Sequence, residues 1–188
     1  MAAMRHPSGL ATTPLLERAA QVAAIRGLAD AARGGDGRLV VIEGSAGIGK
    51  TRLLGEGRAI ADSLGMRVLS ARGGEFEGEF AYGIVRQLFE PLIATATPDA
   101  RAELMAGAAG LAEPLFATSQ LAAPHDGPGE GSFAILHGLY WLTANVALQT
   151  PTLLAVDDLH WADDASLRWL VYLRRRLEGL PLLLFQSR

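Results

Sequence analysis

Eight consecutive residues, GSAGIGKT from Gly44 to Thr51, have the spacing of a loop that holds phosphate. The pattern G-x-x-x-x-G-K-[ST] is fixed at Gly44, Gly49, Lys50 and Thr51. Ser45, Ala46, Gly47 and Ile48 lie between, and Arg52 follows. Glycines let the backbone turn closely around an anion with no Cβ in the way. The amide N–H groups then point inward at the start of a helix, where partial positive charge gathers. Lys50 is expected to reach the β- and γ-phosphates of a nucleotide, and the Thr51 hydroxyl to ligate Mg2+. A plain glycine-rich turn would not require both Lys50 and Thr51.

A second stretch, AVDDLHWADD from Ala155 to Asp164, packs four aspartates, a histidine and a tryptophan behind an apolar run. The apolar residues of LLAV deliver Asp157 to the C-terminal edge of a sheet, where α/β proteins bind ligands. Asp157 is the expected magnesium-side carboxylate, acting through a water. Asp158 is expected to orient or deprotonate an attacking water, or else only to add negative field. Asp163 precedes DASLRWL and is read as a helix N-cap, with Asp164 in the first turn. Trp161 is read as packing its loop against the domain, and either His160 or Trp161 as reporting nucleotide state to a neighbouring surface instead. No second histidine near His160 suggests zinc. At the other end of the chain, Ser187 is expected to bond the water or phosphate, and Arg188 to fork onto the terminal phosphate or else to be only a solvent-exposed terminal residue.

These groups need strands that end together and helices that begin beside them. LLERAAQVAAIRGLADAAR (15–33) has the apolar spacing of a helix, and GGDG (34–37) ends it. RLVVIEG (38–44) reads as a buried parallel strand, followed by a helix at 49–65 and a strand at 66–71. A helix is expected from Ala81 to Phe89, limited by Pro91, with Phe80, Ile84, Leu88 and Leu92 on one face. A weaker helical stretch covers 98–116, and 118–131 reads as a loop. The next helix, 131–148, offers Phe133, Leu136, Leu139, Tyr140 and Val146 for packing, or for a surface between subunits. A strand at 152–158 precedes a helix at 164–179 with Leu167, Leu170, Val171, Leu173 and Leu177 inward. The last strand is 180–188. Alternating helices and strands predict an α/β fold with parallel crossovers.

Composition narrows the rest. The 188 residues suit one α/β domain at 15–188 behind a flexible leader at 1–14. A formal net charge of −3 is not a nucleic-acid footprint, and LRRRLEG reads as a solvent face of arginines. The absence of cysteine removes thiolate and disulfide chemistry and fits a cytoplasmic protein. No apolar run approaches a membrane span, and the start is not a signal peptide.

Together these stretches resemble the P-loop ATPase module of large bacterial LuxR-type transcriptional regulators, in the STAND class of the AAA+-like group. The resemblance runs from LLERAAQVAAIRGL through RLVVIEGSAGIGKTRLL and FAYGIVRQLFEPL to DDLHWAD and the end. It implies a three-layer P-loop NTPase fold with a parallel sheet in the order 5-1-4-3-2, placing strand 38–43 beside strand 180–186. It implies ATP and ADP as ligands, Mg2+ as cofactor, and slow hydrolysis as a regulatory switch. Gly44, Gly49, Lys50 and Thr51 match its phosphate loop, and Asp157 its magnesium aspartate. Asp158 stands where many relatives have glutamate. Glu17 and Arg18 match a segment beside the adenine, and Arg188 matches a phosphate-sensing arginine. Gln186 departs from the small residue usual there. A fifth strand, a lid and a C-terminal helix-turn-helix are not in the sequence, so the chain reads as a fragment. The missing strand would leave 38–43 as an exposed edge, and the missing lid would weaken adenine binding. DNA contact would come only through that missing domain, and self-association through the ATPase module. Two alternatives stay open: a nucleotide-stabilised scaffold with little hydrolysis, and a module serving a cyclase or kinase output domain.

Overall fold

The computed structural model describes residues 18–75, 80–117 and 130–188. The expected leader at 1–14, Glu17 and most of the expected loop at 118–131 lie outside them. The elements in chain order are α1 (Ala19–Arg33), β1 (Arg38–Ile42), α2 (Lys50–Ser63), β2 (Arg67–Arg72), α3 (Gly83–Thr95) and α4 (Pro98–Leu104). A 3-10 segment (Gly107–Phe116) follows, then α5 (Glu130–Gln149), β3 (Thr152–Asp157), a 3-10 turn (Leu159–Trp161), α6 (Asp164–Arg174) and β4 (Leu182–Ser187).

The strands form one parallel sheet in the order β1-β4-β3-β2. This is the four-strand portion of the expected order; a fifth strand beside β1 is not among the described residues. The central strands TLLAVD and LLLFQS are buried on both faces. That explains their continuous apolar runs, since a strand covered on both sides has no polar face to alternate. Leu153, Ala155, Leu183 and Phe185 meet α1 and α2 on one face. Leu154, Val156, Leu182 and Leu184 meet α3, α5 and α6 on the other. β1 is partly exposed along its length, with Val41 40% accessible. No helix among the described residues is long and apolar enough to cross a membrane.

Several expectations are corrected by packing. α3 does not stop before Pro91 but continues to Thr95. Pro91 removes one backbone donor, but the next turn carries Leu92 and Ile93 onto the core, and Ile93 is 4% exposed. Phe80 lies outside α3 and is exposed, so it does not share the buried face of Ile84 and Leu88. The stretch 98–116 divides: α4 begins at a Thr97 N-cap, and a tighter 3-10 path starts at Gly107. Phe133 is exposed and stacks on His137 instead of entering the core. Leu139, Leu142 and Val146 supply the buried face of α5.

α6 ends at Arg174, a turn and a half before the expected limit, and Val171 is exposed. The chain beyond α6 pairs back on the loop before β1 through a bridge between Asp36 and Glu178. A Cβ at Gly37 would sit 2.1 Å from the Leu177 carbonyl oxygen. Gly37 therefore has a packing reason beyond ending a helix. Trp169 replaces Val171 as the main inward residue: it is fully buried and meets Phe89 edge-on, with ring centroids 5.8 Å apart. Trp169→Ala is expected to cost about 3–5 kcal/mol of stability, measured by urea unfolding; a loss below about 1 kcal/mol would contradict this packing.

Candidate functional site

The four strand tips make one row at the C-terminal edge of the sheet. Ile42 pairs with Ser187, and Arg72 pairs with Asp157. The pairing of Val156 with Gln186 brings Asp157 level with Ser187. The candidate site is built on this row and on the loop that leaves β1.

That loop passes through Gly44, Ser45 and Ala46, turns at Gly47 and Gly49, and enters α2 at Lys50. Gly47 and Gly49 have φ of 80° and 88°, in the left-handed region where a side chain is strained. Ile48 between them is exposed. Gly49 is the N-cap of α2, and no side chain caps that helix end. Its first amides therefore keep their donor capacity. The Lys50 ammonium folds over the loop, donating to the Gly44 carbonyl at 2.6 Å and the Ser45 carbonyl at 3.2 Å. Arg18, just before α1, donates to the Ile48 carbonyl at 2.5 Å. Neither cation has a carboxylate partner among the described residues. Among the described residues, the positive charge of the loop is thus met only by neutral carbonyls. Thr51 and Arg52 are exposed in the first turn of α2.

Thr51 and Asp157 line one cavity of about 310 Å³, together with Arg58, Ser70, Arg72 and Gln87. Asp157 is 6% exposed. The Ser187 hydroxyl donates to its Oδ1, and the Asp158 N–H lies 3.1 Å from the same oxygen. Ser187 is fully buried, so the structure turns it toward Asp157 and not toward open solvent.

Asp158 bends away from the strand line, with φ of 50°. Its carboxylate accepts from Arg72 Nε at 2.9 Å and lies 2.7 Å from the second guanidinium nitrogen. The Arg72 backbone is gripped in turn by Gln87, which accepts its N–H at 2.9 Å and donates to its carbonyl at 3.1 Å. The hydrogen bond to Asp158, then the charges of Asp158 and Asp157, hold the Arg72 guanidinium above its usual pKa. Arg188 also has an acidic partner. Its Nε and a terminal nitrogen lie 2.9 and 2.5 Å from Glu43, the residue before Gly44.

Asp163 does more than the expected capping. Its Oδ1 accepts from Ser166 N–H at 2.8 Å and Tyr82 N–H at 2.7 Å, and its Oδ2 from Gly83 N–H at 2.9 Å. One buried carboxylate therefore starts α6 and also holds the beginning of α3. Tyr82 needs that support, because its own φ is 62°. Asp164 is exposed in the first turn of α6. His160 and Trp161 are exposed neighbours with ring centroids 5.0 Å apart, and Trp161 lines an outer cleft with Arg72 and Asp158. No group of three or more potential metal ligands exists among the described residues.

Sequence reading did not find Arg72, Gln87, Glu43 or the second role of Asp163. A charged residue ending the apolar strand MRVLSA was an available signal for Arg72. Gln87 and Glu43 carried none, because their partners are distant along the chain.

A parallel α/β sheet with a glycine turn and uncapped helix after β1, and a carboxylate at the tip of β3, is consistent with the architecture of a P-loop NTPase. The chain matches the family described as AAA ATPase domain over residues 14–185, and it belongs to that family. No curated protein and no solved structure matches it.

The three bonds to Asp163 predict a stability effect separate from ligand binding. Asp163→Ala should lose about 2–4 kcal/mol, since buried N–H groups are left without an acceptor. Thermal unfolding measures it, and a change within about 0.5 kcal/mol would refute the double capping role.

Proposed function

We propose that this chain binds ATP with Mg2+ and hydrolyses it slowly, as a cytoplasmic regulatory switch in a bacterial signalling or transcription regulator. Membership in the AAA ATPase family supports the nucleotide. One observation carries the site: Thr51 and Asp157 share a cavity beside a loop whose cations, Lys50 and Arg18, have no carboxylate partner among the described residues. The residues fit the group. Mg2+ is commonly held by one or two protein oxygens together with phosphates and water, so a cluster of acids is not needed.

The metal, when bound, neutralises phosphate charge and orients the transferred group. The chain's own residues do the rest. Amides of Gly47 to Thr51 and the start of α2 receive phosphate oxygens. Lys50 exchanges the neutral carbonyls of Gly44 and Ser45 for phosphate charge. Thr51 and Asp157 hold the metal side. Asp158 orients the attacking water after parting from Arg72, and Arg188 senses the terminal phosphate after parting from Glu43. Arg18 lies against the phosphate loop, at the Ile48 carbonyl, and the adenine-side role of Glu17 and Arg18 rests on the resemblance. The LuxR-type and STAND assignment, self-association through this module, and DNA contact through a further domain rest on the resemblance alone.

A second reading, a nucleotide-stabilised interaction scaffold with little hydrolysis, is favoured by the ion pair that occupies Asp158. Two variants separate the readings. Lys50→Ala should weaken ATP binding about a hundredfold, ~3 kcal/mol, in titrations with a fluorescent ATP analogue. Unchanged affinity would remove this site. Asp158→Asn should preserve binding and lower turnover about a hundredfold. If a phosphate-release assay finds turnover equally low in the unaltered protein, the scaffold reading takes over.

A further inference from the structure

The bonds around Ser187 fix the direction of its hydroxyl. The Asp158 N–H donates to Ser187 Oγ at 3.1 Å. With that lone pair used, the hydroxyl proton is directed at Asp157 Oδ1, which it reaches. The same oxygen also receives the Asp158 N–H at 3.1 Å. The Asp158 N–H is thus shared between Ser187 Oγ and Asp157 Oδ1, so Oδ1 is held by both the hydroxyl and this amide, while Oδ2 accepts no hydrogen bond among the described residues and Asp157 lines the cavity shared with Thr51. At 6% exposure, Asp157 has little water to hold it in any other orientation. Ser187 itself has no accessible surface, so direct contact with phosphate or water would require the β4 tip to open.

We infer that Ser187 is a positioning residue for the divalent metal: it clamps one oxygen of Asp157 so that the other faces the metal beside Thr51. The inference rests on the Mg2+–ATP reading above. It assigns to β4 a role in metal binding exerted wholly through β3. The same hydroxyl, by accepting the Asp158 N–H, holds the sharp bend that turns the Asp158 carboxylate toward Arg72. One buried oxygen therefore sets the aim of both aspartates. Outer partners that orient a metal ligand typically change metal affinity ten- to a hundredfold when removed, a scale of about that size being expected here.

The test compares ATP-analogue binding in EDTA and across a Mg2+ titration, using the full chain. The proteins are the unaltered chain, Ser187→Ala, Ser187→Thr, Asp157→Asn, and Asp157→Asn combined with Ser187→Ala. Ser187→Ala should raise the Mg2+ concentration needed by about tenfold and leave affinity in EDTA within about twofold. Ser187→Thr, which keeps the hydroxyl, should restore the Mg2+ response. In the Asp157→Asn background, Ser187→Ala should add nothing. That cycle does not depend on a threonine fitting the buried site, and circular dichroism checks that each variant is folded. An unchanged Mg2+ response in Ser187→Ala, an equal loss with and without Mg2+, or additive effects with Asp157→Asn would overturn the inference alone. If the unaltered chain binds the analogue without any Mg2+ effect, the nucleotide reading fails first and takes this inference with it.

Discussion

β3 and β4 are covered on both faces, yet each ends in a polar residue that is itself buried. Ser187 has no accessible surface and Asp157 only 6%, so their buried oxygens are satisfied by each other and by the backbone between them. An unsatisfied buried polar group costs about 1–3 kcal/mol. That constraint fixes the register of the two strands at their tips, the direction of the Asp157 carboxylate and the bend at Asp158. The phosphate loop is placed by the same register, because Ile42 pairs with Ser187 one strand further on.

Around this buried centre the charges are arranged differently. Arg72 with Asp158, and Arg188 with Glu43, are ion pairs with at least one largely exposed partner. Exposed pairs of this kind contribute about 0–1 kcal/mol. Lys50 and Arg18 lean on neutral carbonyls. The groups with reasons to move toward a nucleotide are therefore held by weak contacts, and the group that would hold metal is held by strong ones. A site built this way can exchange partners at its rim without disturbing the sheet beneath.

Asp163 extends the same economy of buried oxygens to the helices. By capping α6 and gripping Tyr82 and Gly83, it ties the loop after Asp158 to the start of α3. α3 carries Gln87, which grips the backbone of Arg72. A closed circuit of hydrogen bonds and packing thus runs from Asp158 through Arg72, Gln87 and α3 to Asp163 and back.

Much of this was legible in the sequence. Lys50 and Thr51 sit in a local pattern whose geometry follows from neighbouring residues, and the apolar runs of β3 and β4 announce strands buried on both sides. Asp163 was readable as a cap because Ser166 is three residues away. The run past Pro91, the outward placement of Phe133 and Val171, and the inward placement of Trp169 were not readable, because each depends on which neighbouring element covers a helix face. The pairings Arg72–Asp158, Glu43–Arg188 and Ser187–Asp157 join residues far apart in the chain. The sequence by itself determined which groups could do chemistry and which strands would carry them. Only the tertiary structure decided which of those groups are already engaged, since strand register and burial, not spacing, bring their partners within hydrogen-bond reach.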